Sequence, residues 1–245
     1  MNLEKYQQYS RIARGLEKAD LVLKDARIVN VFTEEIIRGD IAIQDGIIAG
    51  IGSFHGKEEC DLAGRYVCPG FIDSHLHLES TLVTPAELVT AASRHGTTTF
   101  IVDPHESANV SGLAGIDYIL DQTEDVKANV YVMMPSCVPA TAIDDNGCTL
   151  TAEDMVPYLH NSRILGLGEV MDSISVVQGE KSMHDKLELF EGRIRDGHAP
   201  FLEEGDLQAY AMAGIATDHE CSFFDYAMRE RRNGLTILVR EGSAA

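Results

Sequence analysis

The chain has 245 residues, of which 44% are hydrophobic and 24% charged, and its 20 Lys plus Arg against 39 Asp plus Glu give a formal net charge of −19. That balance argues against a partner such as nucleic acid or an anionic membrane, since both are gripped by basic side chains in clustered excess. The composition is that of a globular protein, not a disordered one.

No apolar leader opens the sequence and no stretch is apolar for long enough to span a bilayer. Five cysteines (Cys60, Cys68, Cys137, Cys148, Cys221) form no C-x-x-C pair, which predicts a soluble cytoplasmic protein with buried, reduced thiols.

Residues 1–19 carry Leu3, Tyr6, Ile12 and Leu16 at helical spacing among Glu, Lys, Gln and Arg, predicting a short amphipathic N-terminal helix. Over residues 20–68 the pattern shifts to short β-type runs, LVLK, ARIVNVF, DIAIQ, IIAGIG and RYVCP. The turn signals RGD, QDG and FHGKE separate them, which predicts a small β-module. From residue 69 to 245, apolar β runs alternate with helical segments such as TPAELVTAASRHG, LAGIDYILDQTED, TAEDMVPYLHN and SFFDYAMRERRNG. The runs FIDSHLH, TTTFIVDPH, ANVYVMMP, ILGLGEV, RIRDGHAP, GIATDHE and LTILVREG give seven strands. Such alternation is the signature of βαβ units on a parallel sheet. The expected fold class is α/β, an incomplete TIM-like (β/α)8 barrel of about seven βα units with a small N-terminal β-module.

Each run except ANVYVMMP begins apolar and ends on titratable side chains: His75 and His77, Asp103 and His105, Glu169, His198, then His219 and Glu220, and last Arg240 and Glu241. The steps from His75 to His105, Glu169, His198 and His219 are 30, 64, 29 and 21 residues, the longest spanning two units. Each cluster therefore falls at the C-terminal end of its own strand, and in a barrel those ends share one mouth.

Side chains alternate along a strand, so His75 and His77 project to the same side, about 7 Å apart, and can chelate one ion. Alone, H-x-H is a weak signal; three further strand-end candidates strengthen it. Glu169 closes the apolar run Ile164-Leu165-Gly166-Leu167-Gly168. A buried carboxylate there needs a cation, whether a neighbouring Arg or a metal ion, and the two glycines leave room for close backbone approach. His198 and His219 complete a set of four imidazoles and one carboxylate, donors that suit Zn(II), Fe(II) or Mn(II) better than Mg(II) or Ca(II). An ion of that kind lowers the pKa of water toward about 7, which is hydrolytic chemistry. His105 and Glu106 are placed to touch substrate or orient a ligand. Glu79 and Glu220, which follow ligand histidines, are candidates for proton transfer. His55, His95, His160 and His184 lie outside the strand-end pattern and receive no role.

PGFIDSHLHLES, DPHESANV, GLGEVMD, DGHAP and AGIATDHECS, closing with VREGSAA, together resemble the adenine deaminases of the metal-dependent amidohydrolase superfamily, from about residue 20 to the end. H-x-H after PGFID is common to many amidohydrolases; the DPHE, GEVMD, GHAP and DHE blocks in that order carry the narrower match. The resemblance implies a binuclear centre of Mn(II) or Fe(II), with Zn(II) as the alternative, converting adenine to hypoxanthine and ammonia. By motif, His75 and His77 would hold one ion, Glu169 would bridge, and His198 and His219 would hold the other.

The resemblance also implies that residues 20–68 are half of a composite β-sandwich, that such proteins form homodimers, and that an eighth barrel strand ends in a metal-binding, proton-shuttling Asp. The sequence stops before that strand, so a truncated barrel of doubtful activity is expected, completed by a C-terminal polypeptide if it is completed at all. Phe201-Leu202 also stands where the family tends to have Gly-Leu. Two other readings remain. One is a cyclic amidohydrolase of dihydroorotase or hydantoinase type, which joins its ions through a carboxylated Lys where Glu169 stands here. The other is an inactive fragment or interaction subunit.

Overall fold

Helix α1 (Leu3–Ala13) starts where the Asn2 side chain accepts the Lys5 N–H at 2.9 Å. It stops early because Gly15, at φ 72°, takes the left-handed conformation; Gly15 and Leu16 donate back to Ile12 and Arg11 at 2.8 Å. Its buried residues are Tyr9 and Ile12, while Leu3, Tyr6 and Leu16 are exposed. The expected stripe is thus corrected: only the C-terminal half of the helix meets a core, formed by Ile12 with Ala19, Val22 and Ala42, and Leu16 lies beyond the helix. The computed structural model describes residues 1–141 and 143–240, and forms two units, Met1–Pro69 and Gly70–Ala245.

In the first unit, β1 (Ala19–Asn30), β2 (Glu35–Gln44), β3 (Ile47–Gly52), β4 (Gly56–Asp61) and β5 (Tyr66–Val67) form one sheet in the order β3-β2-β1-β4, with β5 also pairing β1. The runs LVLK and ARIVNVF, read as separate, are one strand with a register shift between Leu23 and Ala26, where Asp25 sits at φ 50°. FHGKE, read as a turn, supplies the start of β4, whose backbone pairs in parallel with β1 from Ala19↔Gly56 onward. Ladder pairing outweighs the poor strand propensity of Gly-Lys-Glu-Glu.

The second unit contains β6 (Phe71–Leu76), α2 (Pro85–Ser93), β7 (Thr97–Val102), α3 (His105–Ser111), α4 (Leu113–Gln122), β8 (Asn129–Pro135), α5 (Ala152–Met155), β9 (Ile164–Val170), α6 (Ser173–Gln178), α7 (Lys181–Leu189), β10 (Ile194–Gly197), α8 (Glu204–Met212), β11 (Thr217–Asp218), α9 (Phe224–Arg232) and β12 (Thr236–Ile237). All seven strands run parallel in sequence order, β6 through β12. This is the α/β fold expected from the alternating runs, an incomplete TIM-like barrel with a small separate β-module. Its core joins Phe100, Val102, Val130, Val132, Met134 and Leu167 of the sheet to Val89, Ile116, Ile119 and Leu187 of the helices. Each such side chain contributes roughly 1.5–3 kcal/mol on burial.

The later strands are shorter than their apolar runs. After Asp218 the backbone leaves the ladder because the Asp218 Oδ2 accepts the N–H groups of Glu220 and Cys221 at 2.8 and 3.0 Å. All five cysteines are free, yet only Cys137 is buried; Cys60 and Cys68 are exposed, Cys60 because it lies on the solvent-facing edge strand β4. No helix among the described residues is long and apolar enough to cross a membrane.

Glu230 of α9 is fully buried beside Asp218, and neither of its carboxyl oxygens has a hydrogen-bond partner among the described residues. Burial, reinforced by the charge of Asp218, pushes its pKa up to about 8. A raised carboxyl pKa means that the folded chain binds the extra proton. Its contribution to stability is present below the ordinary carboxyl range and is lost as pH climbs through about 8. Glu230→Gln is therefore expected to melt near wild type at pH 4, to gain on it as pH passes the ordinary carboxyl range, and to melt several degrees higher at pH 9, each kcal/mol giving about 2–4 °C at this size. Parallel thermal melts at the two pH values check it, and equal melting at pH 9 contradicts it.

Candidate metal centre

The parallel register places the C-terminal ends of β6, β7, β9, β10 and β11 side by side, and these ends carry the titratable groups. His75 is the penultimate residue of β6, with His77 just past its end; Asp103 follows β7; Glu169 is the penultimate residue of β9. Asp196 is in β10 with His198 just beyond it, and His219 follows β11.

Glu169 is the hub. Its Oε1 lies 3.1 Å from His75 Nε2, 3.2 Å from His77 Nε2, 2.9 Å from His219 Nε2 and 3.7 Å from His198 Nδ1. Its Oε2 is 3.4 Å from His105 Nδ1. The backbone of Glu169 is at φ 23°, a strained conformation for a non-glycine residue.

The donor atoms form two triads that share this carboxylate, His75–His77–Glu169 and Glu169–His198–His219. Two further groups adjoin them, His75–Asp196–His219 and Asp103–His105–Glu169. The outer nitrogens each have a polar neighbour. His77 Nδ1 is 2.7 Å from the Asp103 carbonyl, and the Nδ1 atoms of His75 and His219 lie 3.3 and 3.4 Å from Asp196 Oδ2. That leaves each Nε2 facing inward, the arrangement of a metal-binding imidazole oriented from behind, by a hydrogen bond in His77 and by the nearby Asp196 carboxylate in His75 and His219. His198 Nδ1 is buried with no hydrogen-bond partner among the described residues, an unsatisfied atom that an ion beside Glu169 would satisfy. The residues present thus fit a divalent-metal site.

Burial disfavours the Glu169 charge, but His198, His219, His75 and His77 outweigh it and hold its pKa far below the carboxylate range. Burial likewise opposes protonation of His219 and His77, yet Asp196 with Glu169, and Glu106 with Glu169, raise them to about 9 and about 11.

Above these groups lies a cleft of about 1100 Å³. His105 and Glu106 stand on its wall, Glu106 half-exposed and His105 buried against Asp103. Glu220 is also on the wall, paired with Arg240. Glu79 lies beneath the wall, not on it: its Oε1 accepts the Ser107 N–H at 3.1 Å and its Oε2 is buried without a partner among the described residues. Burial, aided by the neighbouring Glu106, pushes the Glu79 pKa up to about 7, whereas His77 outweighs burial and holds Glu106 at about 2. His55, His95, His160 and His184 take no part in these groups.

A profile of the amidohydrolase family matches residues 66–240. This chain belongs to the amidohydrolase family. It is 57% identical over 245 residues to an adenine deaminase of Desulfitobacterium hafniense (strain Y51), a match covering 100% of this chain and 43% of that protein. With an adenine deaminase of Clostridium acetobutylicum it shares 49% identity over 235 residues, covering 95% of this chain and 41% of the relative. The chain thus spans about two fifths of the length of these relatives. Among solved structures, zinc-complexed atrazine chlorohydrolase TrzN from Arthrobacter aurescens TC1 aligns with TM-score 0.55 at 14% identity, over 89% of this chain and 71% of that one. The 5-methylcytosine deaminase of Klebsiella pneumoniae liganded with 5-fluorocytosine aligns with TM-score 0.53 at 16% identity, over 88% and 64%. At such identities the likeness is one of fold.

Within the amidohydrolase scaffold, the two glycines before Glu169 are steric requirements. A Cβ on Gly168 would lie 2.0 Å from Asp103 Oδ2, and one on Gly166 2.0 Å from the Ile194 carbonyl. Gly168→Ala would drive the Asp103 carboxylate from its place against His105. The expected cost is about 1–3 kcal/mol of stability together with loss of bound divalent ion. A thermal melt and a metal analysis on one preparation test it, and a variant unchanged in both would show that Asp103 moves freely.

Proposed function

We propose that this chain builds the metal centre of a hydrolase that deaminates adenine to hypoxanthine and ammonia. The observation that carries the reading is the convergence on Glu169 Oε1 of four imidazoles from three strand ends, in a chain 57% identical to an adenine deaminase. His75 and His77 would hold one divalent ion and His198 and His219 the other, with Glu169 bridging. Mn(II) or Fe(II) suits this donor set, with Zn(II) as the alternative. When bound, such ions act as Lewis acids and make hydroxide available near neutral pH.

The protein's own groups do the rest. Asp196 fixes which nitrogens of His75 and His219 face inward. His105 and Glu106, on the cleft wall, are placed to orient a purine ring. Ammonia leaves only when the amine nitrogen gains a proton. Glu220, held by Arg240, is proposed to deliver it, and Glu79 to hold a proton in reserve at Oε2, behind Glu106.

By the same reading the chain works in the cytoplasm, its residues 20–68 form half of a composite β-sandwich, and its barrel is either paired in a homodimer or completed by a C-terminal polypeptide. The test is metal content and adenine-dependent ammonia release after Mn(II) or Fe(II) loading. The chain is measured alone and mixed with a polypeptide matching the remainder of a curated relative. Bound metal with ammonia release in either arm supports the proposal; no bound metal and no release in both rejects it.

A further inference from the structure

Behind β8 and β9 a chain of hydrogen bonds runs from a buried ammonium to the backbone of Glu169. Lys186 of α7 is only 9% exposed, rare for lysine, and its Nζ donates to the Ser136 carbonyl at 2.7 Å. Ser136, fully buried just after β8, donates its hydroxyl to the Glu169 carbonyl at 2.7 Å and its N–H to the Gly168 carbonyl at 3.3 Å. The same Glu169 carbonyl accepts the Met171 N–H at 2.7 Å, closing the tight turn in which Glu169 takes φ 23°. A non-glycine residue in a sparsely populated conformation costs on the order of 1–3 kcal/mol and persists only where its surroundings hold it. This turn presents the Glu169 carboxylate to the imidazoles.

We infer that Ser136 and Lys186 are positioning residues of the metal centre: Ser136 Oγ anchors the Glu169 turn, and Lys186, by holding the Ser136 peptide, anchors Ser136. The inference rests on the metal-binding reading of Glu169. Neither residue lines the cleft; both border a separate cavity of about 710 Å³ on the other side of the 137–140 segment. An apolar side chain would fill the place of Lys186 without the desolvation cost of an ammonium. What the lysine adds is a charge-assisted hydrogen bond, roughly twice as strong as a neutral one, on the peptide that carries Ser136.

The test pairs Ser136→Ala, which removes the donor at nearly constant volume, with Ser136→Thr, which keeps it. Co(II) is titrated into the 245-residue chain and followed by visible absorption. Ser136→Ala is expected to weaken binding about 10–100-fold and shift the ligand-field bands, and Ser136→Thr to restore both. Lys186→Met is expected to act in the same direction; if it fails to fold, the Ser136 pair decides. In the ion-free chain, the carbon-13 resonance of the Glu169 carboxylate is expected to move in Ser136→Ala and to return in Ser136→Thr. Wild-type protein that binds no Co(II) while that resonance still moves would end the metal reading and leave the relay standing. An unmoved resonance, or a threonine variant indistinguishable from alanine, overturns the relay.

Discussion

Glu169→Gln is expected to abolish tight divalent-ion binding, not merely to weaken it. Both candidate triads share this one carboxylate, so a single substitution strikes both ion positions at once. Glutamine keeps the shape, but it removes the charge that compensates the surrounding imidazoles, and its amide can turn an N–H₂ toward nitrogens that must act as electron-pair donors to bind an ion. Removing one partner from a buried charge cluster typically costs about 3–5 kcal/mol, or some 10²–10⁴-fold in an equilibrium constant. Metal content after Mn(II) loading and dialysis reads this directly. Wild-type content in the variant would mean that the imidazoles bind ions without the hub, and the reading of Glu169 as a bridge would fail.

The same variant has a signature in the ion-free chain. The Glu169 pKa is depressed by its histidine neighbours, so its contribution to stability is present above the ordinary carboxyl range and is lost as pH falls through and below that range. Glu169→Gln is expected to be less stable than wild type at pH 6 and to lose less on acidification to pH 3. Urea melts at the two pH values distinguish that slope from a uniform loss of packing.

What made the seven-stranded sheet legible was alternation: apolar runs, the first six each followed by a helical segment before the next. The strand-end placement of His75, His77, Glu169, His198 and His219 follows from that register alone. Features decided by partners distant in sequence were not legible. Asp196 stands two residues before His198, the same spacing that singled out His75 and His77, yet within DGHAP it reads as turn chemistry until His75 and His219 are seen against it. Helix α3 begins at His105, inside a segment read only as a strand end. Its first turn is fixed by the Ser107 N–H donating to Glu79, 28 residues away. FHGKE became strand β4 for a similar reason: a neighbouring edge was available. Ser136 carries no motif at all, and only its hydroxyl bond to the Glu169 carbonyl gives it a place in the site.

Asp196→Asn is expected to leave the fold intact and to lower divalent-ion affinity by about 10–100-fold, the usual cost of losing an outer hydrogen-bond partner of a ligand histidine. One oxygen, Oδ2, faces the Nδ1 atoms of both His75 and His219, whose rings stack with centroids 3.7 Å apart, while Oδ1 accepts the Thr217 hydroxyl. Burial works against the Asp196 charge, yet His219 and His75 outweigh it and hold its pKa well below the ordinary range. An asparagine that keeps Thr217 as a donor must turn its N–H₂ toward two N–H groups; one that serves the histidines reverses the Thr217 bond and offers the rings a neutral carbonyl in place of a carboxylate. Either way the tautomer that leaves Nε2 free on both rings is held less firmly. The two histidines belong to different triads, so affinity should fall for both ions together. Isothermal titration with Mn(II) separates this from the alternatives. Loss at one ion alone would confine Asp196 to a single ring, and unchanged affinity at both would show that the stacked imidazoles orient themselves without it.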